Sequence, residues 1–304
     1  VKKQKTTLET MNWKNPFWAR RRIAVLDAEK DFQEINHLAF EVRYATPIFT
    51  HSLFSVAFAR QAAVPSIAEV LYRGGKGGII TNARKRNNDT LLFFGEFFRH
   101  GNNEHGRKVA GQLNRIHAHF PISNEQNLYT LATLMCEPLR MSRFLTGNYI
   151  FGKKETRSLF LFWRMVGEML LIKDFPADES AALAFYEKFE QENFAYTDAG
   201  KAVVESLADE FASRWYPKWM KSLGRNVYFA LFDDLLRNTF RLPKPPMWLT
   251  LSVRAYLWFY LMVWVRLMPD ADDRSIIDTF KEEYTDYHIS QAGPKQFDQG
   301  QTRS

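Results

Sequence analysis

Seven histidines are the side chains best suited to chemistry in this chain: His37, His51, His100, His105, His117, His119 and His288. Their surroundings exclude several classes at once. H-E-x-x-H, C-x-x-C-H and G-x-S-x-G are all absent, so zincin, c-type cytochrome and hydrolase chemistry have no motif to rest on. Glu34 and His37 make one E-x-x-H pair. A di-iron bundle takes two such pairs and two further carboxylates, so His37 reads as structural. The window from Arg86 to Phe120 is different. Arg86 and Thr90 share one helical face, followed by Leu91, Leu92, Phe93, Phe94 and Phe97. Val109, Leu113, Ile116 and His117 recur at helical spacing, which sets the His117 imidazole beside an apolar stripe and turns His119 about 200° away. An imidazole so placed is most often a satisfied core residue. As a ligand it suits b-type haem: the iron takes a neutral imidazole nitrogen, the macrocycle buries against Phe and Leu, and an arginine such as Arg86 pairs with a propionate.

The elements that would position these residues read as helices. Apolar residues at i, i+3, i+4 and i+7 predict helices over residues 29–43, 104–119, 125–144, 154–172, 178–193, 198–215, 225–240 and 274–288. Pro138 is expected to kink or end its helix, and Asp178 and Asp198 stand where N-cap carboxylates belong. Period-2 alternation is scarce, so the expected fold class is all-α. With no repeat and no Gly/Ser linker, residues 1–304 read as one domain with an N-terminal arm over 1–28 and a polar tail over 289–304. The glycine-rich run Arg73–Gly78 lacks the spacing of a phosphate-binding loop and reads as flexible.

Composition sets the remaining bounds. The chain is 46% hydrophobic, 15% aromatic and 25% charged, the balance of a folded protein. One cysteine, Cys136, excludes a disulfide framework, a Cys-rich zinc site and a Cys-ligated iron–sulfur cluster. The net charge of +7 suits an anionic partner such as a membrane surface or a carboxylate-bearing cofactor. The basic runs Arg20–Arg22 and Arg84–Arg86 are short and read as solvated helix ends, so nucleic acid is not an expected partner. Trp248–Met268 is the most apolar segment. Its uninterrupted core, Ala255–Val265, is shorter than the ~20 residues a bilayer span needs. That leaves a buried helix, or an interfacial one with Trp258, Phe259 and Trp264 in lipid and Arg254 and Arg266 at headgroups. Val1 is not a methionine, which suggests a start inside a longer product, with any N-terminal signal or anchor already gone.

Several spaced motifs carry a resemblance to a known family. Ile116-His117-Ala118-His119-Phe120-Pro121-Ile122-Ser123-Asn124-Glu125, then Leu128–Thr133 and Glu137-Pro138, resemble the MpaB and rubber-oxygenase (latex-clearing protein) family. So do Phe162–Gly167 and Ile172–Pro176. The likeness runs from about Arg86 to Arg266 and is nearest the fungal ER-bound branch acting in mycophenolic acid biosynthesis. It implies a globin-like helical core holding haem b, and use of O2 to cleave a carbon–carbon double bond in an apolar isoprenoid-type substrate. It places the proximal iron ligand on His117, the distal Arg and Thr on Arg86 and Thr90, and a further distal acid or base on Glu69. Rubber oxygenases carry a lysine just before that threonine; here the residue is Asp89, so the distal side departs from the pattern. The resemblance also implies a membrane-associated location, at the ER or an inner-membrane surface. Two other readings stand beside the oxygenase: a haem-binding membrane-surface protein without turnover, and a haem-free helical scaffold. Substrate identity, product oxidation level and oligomeric state stay open.

Overall fold

The computed structural model describes residues 7–44, 46–147, 150–280 and 288–293. Among them there is no strand; one isolated backbone bridge joins Met11 and Ala271. The chain begins with α1 (Trp18–Val25) and α2 (Phe32–His37), which runs on into a π-helical turn, Leu38–Arg43. Thr46 caps α3 (Pro47–Gln61), with proline in the first turn where its missing N–H costs nothing. Short helices α4 (Pro65–Tyr72) and α5 (Gly78–Thr81) follow. The intervening Arg73–Gly75 forms a 3-10 turn in which all three residues have positive φ, rather than a flexible loop. Asn82 caps α6 (Ala83–His100) and Asn103 caps α7 (Glu104–His117), two antiparallel neighbours.

Next comes α8 (Asn124–Thr146), started by a Ser123/Gln126 capping box. Pro138 lies inside it, and the helix continues for two more turns because residues 131–138 are buried throughout and Met141, Ser142 and Leu145 beyond them are held in the core as well. Helix α9 (Lys153–Met169) stops short of the expected residue 172, where Leu171 takes a positive φ. Asp178 caps α10 (Glu179–Asn193) as expected, accepting from Ala181 N at 2.8 Å. The cap of α11 (Asp198–Trp215) is Thr197, not Asp198: its hydroxyl accepts from Gly200 N at 2.9 Å. The single helix expected over 225–240 is two, α12 (Lys221–Ala230) and α13 (Asp234–Thr239), because Asp233 starts a new one by accepting from Leu236 N. An apolar rod follows, α14 (Met247–Trp258), a π-helical turn (Phe259–Trp264) and α15 (Val265–Leu267). The last described helix is α16 (Ile276–Phe280); most of the helix expected over 274–288 lies outside the described residues.

The two chain ends pack rather than trail. Ala19 and Ile23 of α1, with Leu26 just beyond it, are buried. The Arg20 guanidinium donates to the carbonyls of Val265 and Met268 at 2.7 Å and pairs with Asp270, so this arginine caps the end of the apolar rod instead of facing solvent. Of the segment read as a polar tail, Ile289 and Ala292 are buried; residues 294–304 lie outside the described residues. The rod itself corrects the sequence reading. Helix runs unbroken from Met247 to Leu267, long and apolar enough to cross a membrane by length and composition, with 28% of its most apolar stretch buried. Arg254 does not interrupt the outer face, because it folds inward over the Phe144 ring at 4.7 Å.

An ionic network lies at the centre of the helical layers. Arg60 on α3, 1% exposed, donates to Glu190 on α10 at 2.6 Å and to Asp233 at 3.0 Å. Arg140 on α8 donates to the same Asp233 at 2.7 Å and grips Glu137 with two bonds. Tyr129 and Tyr186 donate to Glu190 and Glu137 at 3.0 and 2.9 Å. Burial pushes the Glu190 carboxyl above its ordinary range even though Arg60 pulls it down. Removing one charge from such a set strands the others in a medium that cannot solvate them. Arg60→Met is therefore expected to lower unfolding stability by about 3–5 kcal/mol in urea melts, whereas Lys108→Ala, which breaks an exposed pair with Glu104, leaves the midpoint unchanged.

Candidate functional site

Helix α6 holds the site because three consecutive buried polar residues fix its rotation. Asn87 donates to Glu210 on α11 at 3.0 Å, and Asn88 accepts from Arg214 at 2.7 Å. Burial alone would raise the Glu210 carboxyl; His51 and Arg214 outweigh it and hold the group at about 2, so it stays a firm anionic acceptor. On the other side Asp89 accepts from Lys85 Nζ at 2.7 Å and from Gly293 N at 3.0 Å. Gln112 on α7 donates to the carbonyls of Ile289 and Ala292. The C-terminal segment is thus strapped across α6 and α7. Asp89, where the resemblance has lysine, serves as the latch of this strap.

With α6 so oriented, Arg86 and Thr90 face into the fold. Both are half-buried. Arg86 Nη1 donates to the Thr90 hydroxyl, which in turn donates to the Arg86 carbonyl at 3.0 Å. The guanidinium lies over the Phe58 ring at 5.3 Å and has no carboxylate partner among the described residues. Its burial lowers the pKa, the opposing pull of Asp89 being weaker. Across the hairpin, His117 is half-buried and neither ring nitrogen has a hydrogen-bond partner among the described residues. Burial, and secondarily the charge of Arg86, push its pKa down to about 4. The fold therefore brings Arg86, Thr90 and His117 into one electrostatic unit: an unneutralised cation beside a neutral, uncommitted imidazole. These are the properties that a propionate and a haem iron require of their partners. Glu69 does not join them; it is exposed on α4 and makes no side-chain hydrogen bond or ion pair among the described residues. His119 is exposed, with Nδ1 donating to Arg115 O at 2.7 Å. His37 bridges Glu41 and Asp273 at 2.6 and 2.8 Å, the structural role its spacing suggested.

A feature the sequence did not show is a small, apolar, partly open pocket lined by Phe40, Phe49, Phe54, Phe98, Trp163 and Glu137, among others. None of Arg86, Thr90 and His117 lines it. Arg86, Thr90, Phe94 and Phe98 recur every fourth residue along one ridge of α6. Phe54 and Phe58 do the same on α3, and Phe54 meets Phe94 at 4.8 Å. Packed aromatic side chains between α3 and α6 thus run from the pocket-lining Phe54 and Phe98 to Phe58, under the Arg86 guanidinium.

Residues 48–267 match the family described as ER-bound oxygenase mpaB/B'/rubber oxygenase, catalytic domain. The match takes in α3 through α15, hence the whole Arg86–Thr90–His117 unit and most of the pocket's lining, though not Phe40. No curated protein gives a significant match.

The depressed value at His117 has a consequence for pH. The unfolded chain binds the imidazole proton near the ordinary 6.5 and the folded one only near 4, so the contribution to stability is complete above 6.5 and is lost as pH falls toward 4. In the cofactor-free chain, Arg86→Met should move the His117 titration part of the way back to 6.5, read by NMR of the imidazole carbons. An unchanged titration would show that the two groups are not coupled.

Proposed function

The chain belongs to the MpaB/rubber-oxygenase family, and from that premise we propose that it binds haem b through His117 and uses O2 to cleave a carbon–carbon double bond in an apolar, isoprenoid-type substrate. One observation carries this reading: an uncommitted neutral imidazole faces the field of a half-buried guanidinium that has no carboxylate partner among the described residues. Bound haem would supply the redox chemistry with O2. The chain's own residues supply position and polarity. His117 offers a neutral nitrogen because burial and Arg86 disfavour its proton. Arg86 offers a desolvated positive charge to a propionate or to negative charge that develops during the reaction. Thr90 acts through Arg86: its proton is committed to the Arg86 carbonyl and its lone pair receives the guanidinium, so it is a positioning residue. The apolar pocket and the aromatic side chains packed between α3 and α6 would orient an apolar chain and exclude water.

The globin-like arrangement implied by the resemblance, and supply of substrate from a membrane surface, belong to the same proposal. The rod over 247–267 supports the second point. Trp248, Leu251, Tyr256, Trp258 and Phe259 are exposed on it, Trp258 by 46% and Phe259 by 49%, and Arg266 is exposed at its end. Apolar side chains gathered along one helix, with a cation at the rim, fit an interfacial element.

The purified chain, expressed with haem supply, is expected to carry about one b-type haem, as a single proximal histidine implies. His117→Ala should lose most of the Soret absorbance while His119→Ala keeps it; the opposite pattern sinks the ligand assignment. Arg86→Ala and Thr90→Ala should depress O2-dependent turnover roughly 10–100-fold, the worth of one charge-assisted hydrogen bond in a closed site, and reduce haem content far less. A haem spectrum with no turnover on any isoprenoid alkene would favour the membrane-surface haem protein instead.

The membrane reading is tested by flotation with anionic liposomes. Binding should persist in high salt and weaken on Trp258→Ala. A chain left at the bottom of the gradient removes the membrane as the source of substrate.

A further inference from the structure

The turn end of the α6–α7 hairpin carries a second cluster that the function above does not use. Glu96 and His100 stand four apart on the last turns of α6, and His105 is the second residue of α7. Glu96 Oε2 lies 2.9 Å from His105 Nε2 and 3.5 Å from His100 Nε2, and the two imidazole rings are 4.1 Å apart between centroids. One ligand atom from each residue lies within 4.8 Å of the other two. Two donors bound to one zinc ion at the usual bond lengths stand about 3.3 Å apart when the geometry is tetrahedral, so the trio already has the spacing of three corners.

Two further features separate this cluster from a chance gathering of surface histidines. The Glu96 side chain is 7% exposed, and the two imidazoles are its only partners among the described residues; no lysine or arginine neutralises it. A buried carboxylate in that position lacks a cation. The backbone also fixes the arrangement. Gly101 takes a positive φ, and a Cβ there would meet Gln33 Oε1 at 1.9 Å; a Cβ on Gly106 would meet the Gly101 carbonyl at the same distance. These two glycines let α7 begin directly against the end of α6, which stacks His105 on His100. The imidazoles remain partly open to solvent, at 28% and 44% exposure, so an ion can enter and keep water in its remaining positions.

We infer that Glu96, His100 and His105 bind one divalent transition-metal ion of the zinc class, which clamps the turn of the α6–α7 hairpin. Two imidazole nitrogens and one carboxylate oxygen form a borderline donor set that suits Zn2+ and its first-row neighbours, not the hard, oxygen-seeking Mg2+ or Ca2+. The site is separate from the Arg86–Thr90–His117 unit. At 1.5 Å rise per residue, His100 lies about 15 Å along α6 from Thr90, and His105 about 18 Å along α7 from His117. A clamp at one end of an antiparallel pair fixes the relative pitch of the two helices whose other ends carry Arg86 and His117.

The test uses the full chain, stripped with EDTA and titrated with zinc chloride by calorimetry, with melting curves alongside. The expected result is one ion per chain with a dissociation constant on the order of 1 µM, a raised melting temperature, and no response to magnesium chloride. His105→Ala and Glu96→Gln should each weaken zinc binding by about 100-fold or more, the loss of one ligand in three, whereas His119→Ala leaves it intact. Because His105 is partly exposed, its variant is expected to fold, and the melting curve without zinc checks that. Absence of saturable zinc binding in the wild-type chain would overturn the assignment. So would zinc binding that survives both ligand variants.

Discussion

Arg60 has no route to solvent, and this constraint organises the helices around it. A guanidinium taken out of water must meet carboxylates at hydrogen-bond distance from every direction in which it has N–H groups. In this chain they come from α10 (Glu190) and from the cap of α13 (Asp233), while Arg140 on α8 ties Asp233 to Glu137. Four helices that are far apart in sequence are thereby fixed in rotation as well as in distance, which apolar packing alone does not do. Glu137 has a second position to fill: it lines the apolar pocket. The placement of α3 against α8 that satisfies Arg60 also sets the direction of the Phe54–Phe58 ridge, and hence the ring on which the Arg86 guanidinium lies.

Helix α6 extends the same principle to the site. Asn87, Asn88 and Asp89 are each buried; Asn87 and Asn88 are satisfied by α11 and Asp89 by Lys85 and the C-terminal segment. Buried amides and carboxylates are costly when unmatched, so a helix with three in succession has one rotation in which all are paired. In that rotation Arg86 and Thr90 face α3, with the guanidinium over Phe58. The guanidinium is left with a hydroxyl and an aromatic face but no anion among the described residues, and the His117 nitrogens have no hydrogen-bond partner among them. That combination supports the proposed placement of a charged, metal-bearing cofactor.

The apolar rod shows the same division between inner and outer constraints. Arg20 caps its C-terminal carbonyls from α1, and Tyr260 donates to the Tyr44 carbonyl at 3.0 Å, joining the two π-helical turns. These contacts hold its inner face. The outer face, with its row of tryptophan, tyrosine and leucine, has nothing against it among the described residues, which is costly in water and favourable at a lipid surface.

The sequence by itself determined the helical class and most helix spans, which depend on spacing within one helix, and a period of 3.6 residues is written in the chain. The same spacing set His117 beside an apolar stripe and Arg86 and Thr90 on one face, while it was the resemblance that joined the three. The Asp178 cap was legible from spacing as well: it acts three residues away. The tertiary structure alone decided what depends on residues distant in sequence. Arg60, Glu137, Glu190 and Asp233 have no shared motif, and nothing local marks Asp89 as the latch of the C-terminal segment or Arg20 as a helix cap. Arg254 was read as an interruption because its inward fold over Phe144 is invisible in a linear chain. Glu96, His100 and His105 share no motif, and His105 joins the other two only through the two-glycine contact at the turn. Periodicity reports which face of an element a residue occupies; which element that face meets follows from how all the buried charges can be paired at once.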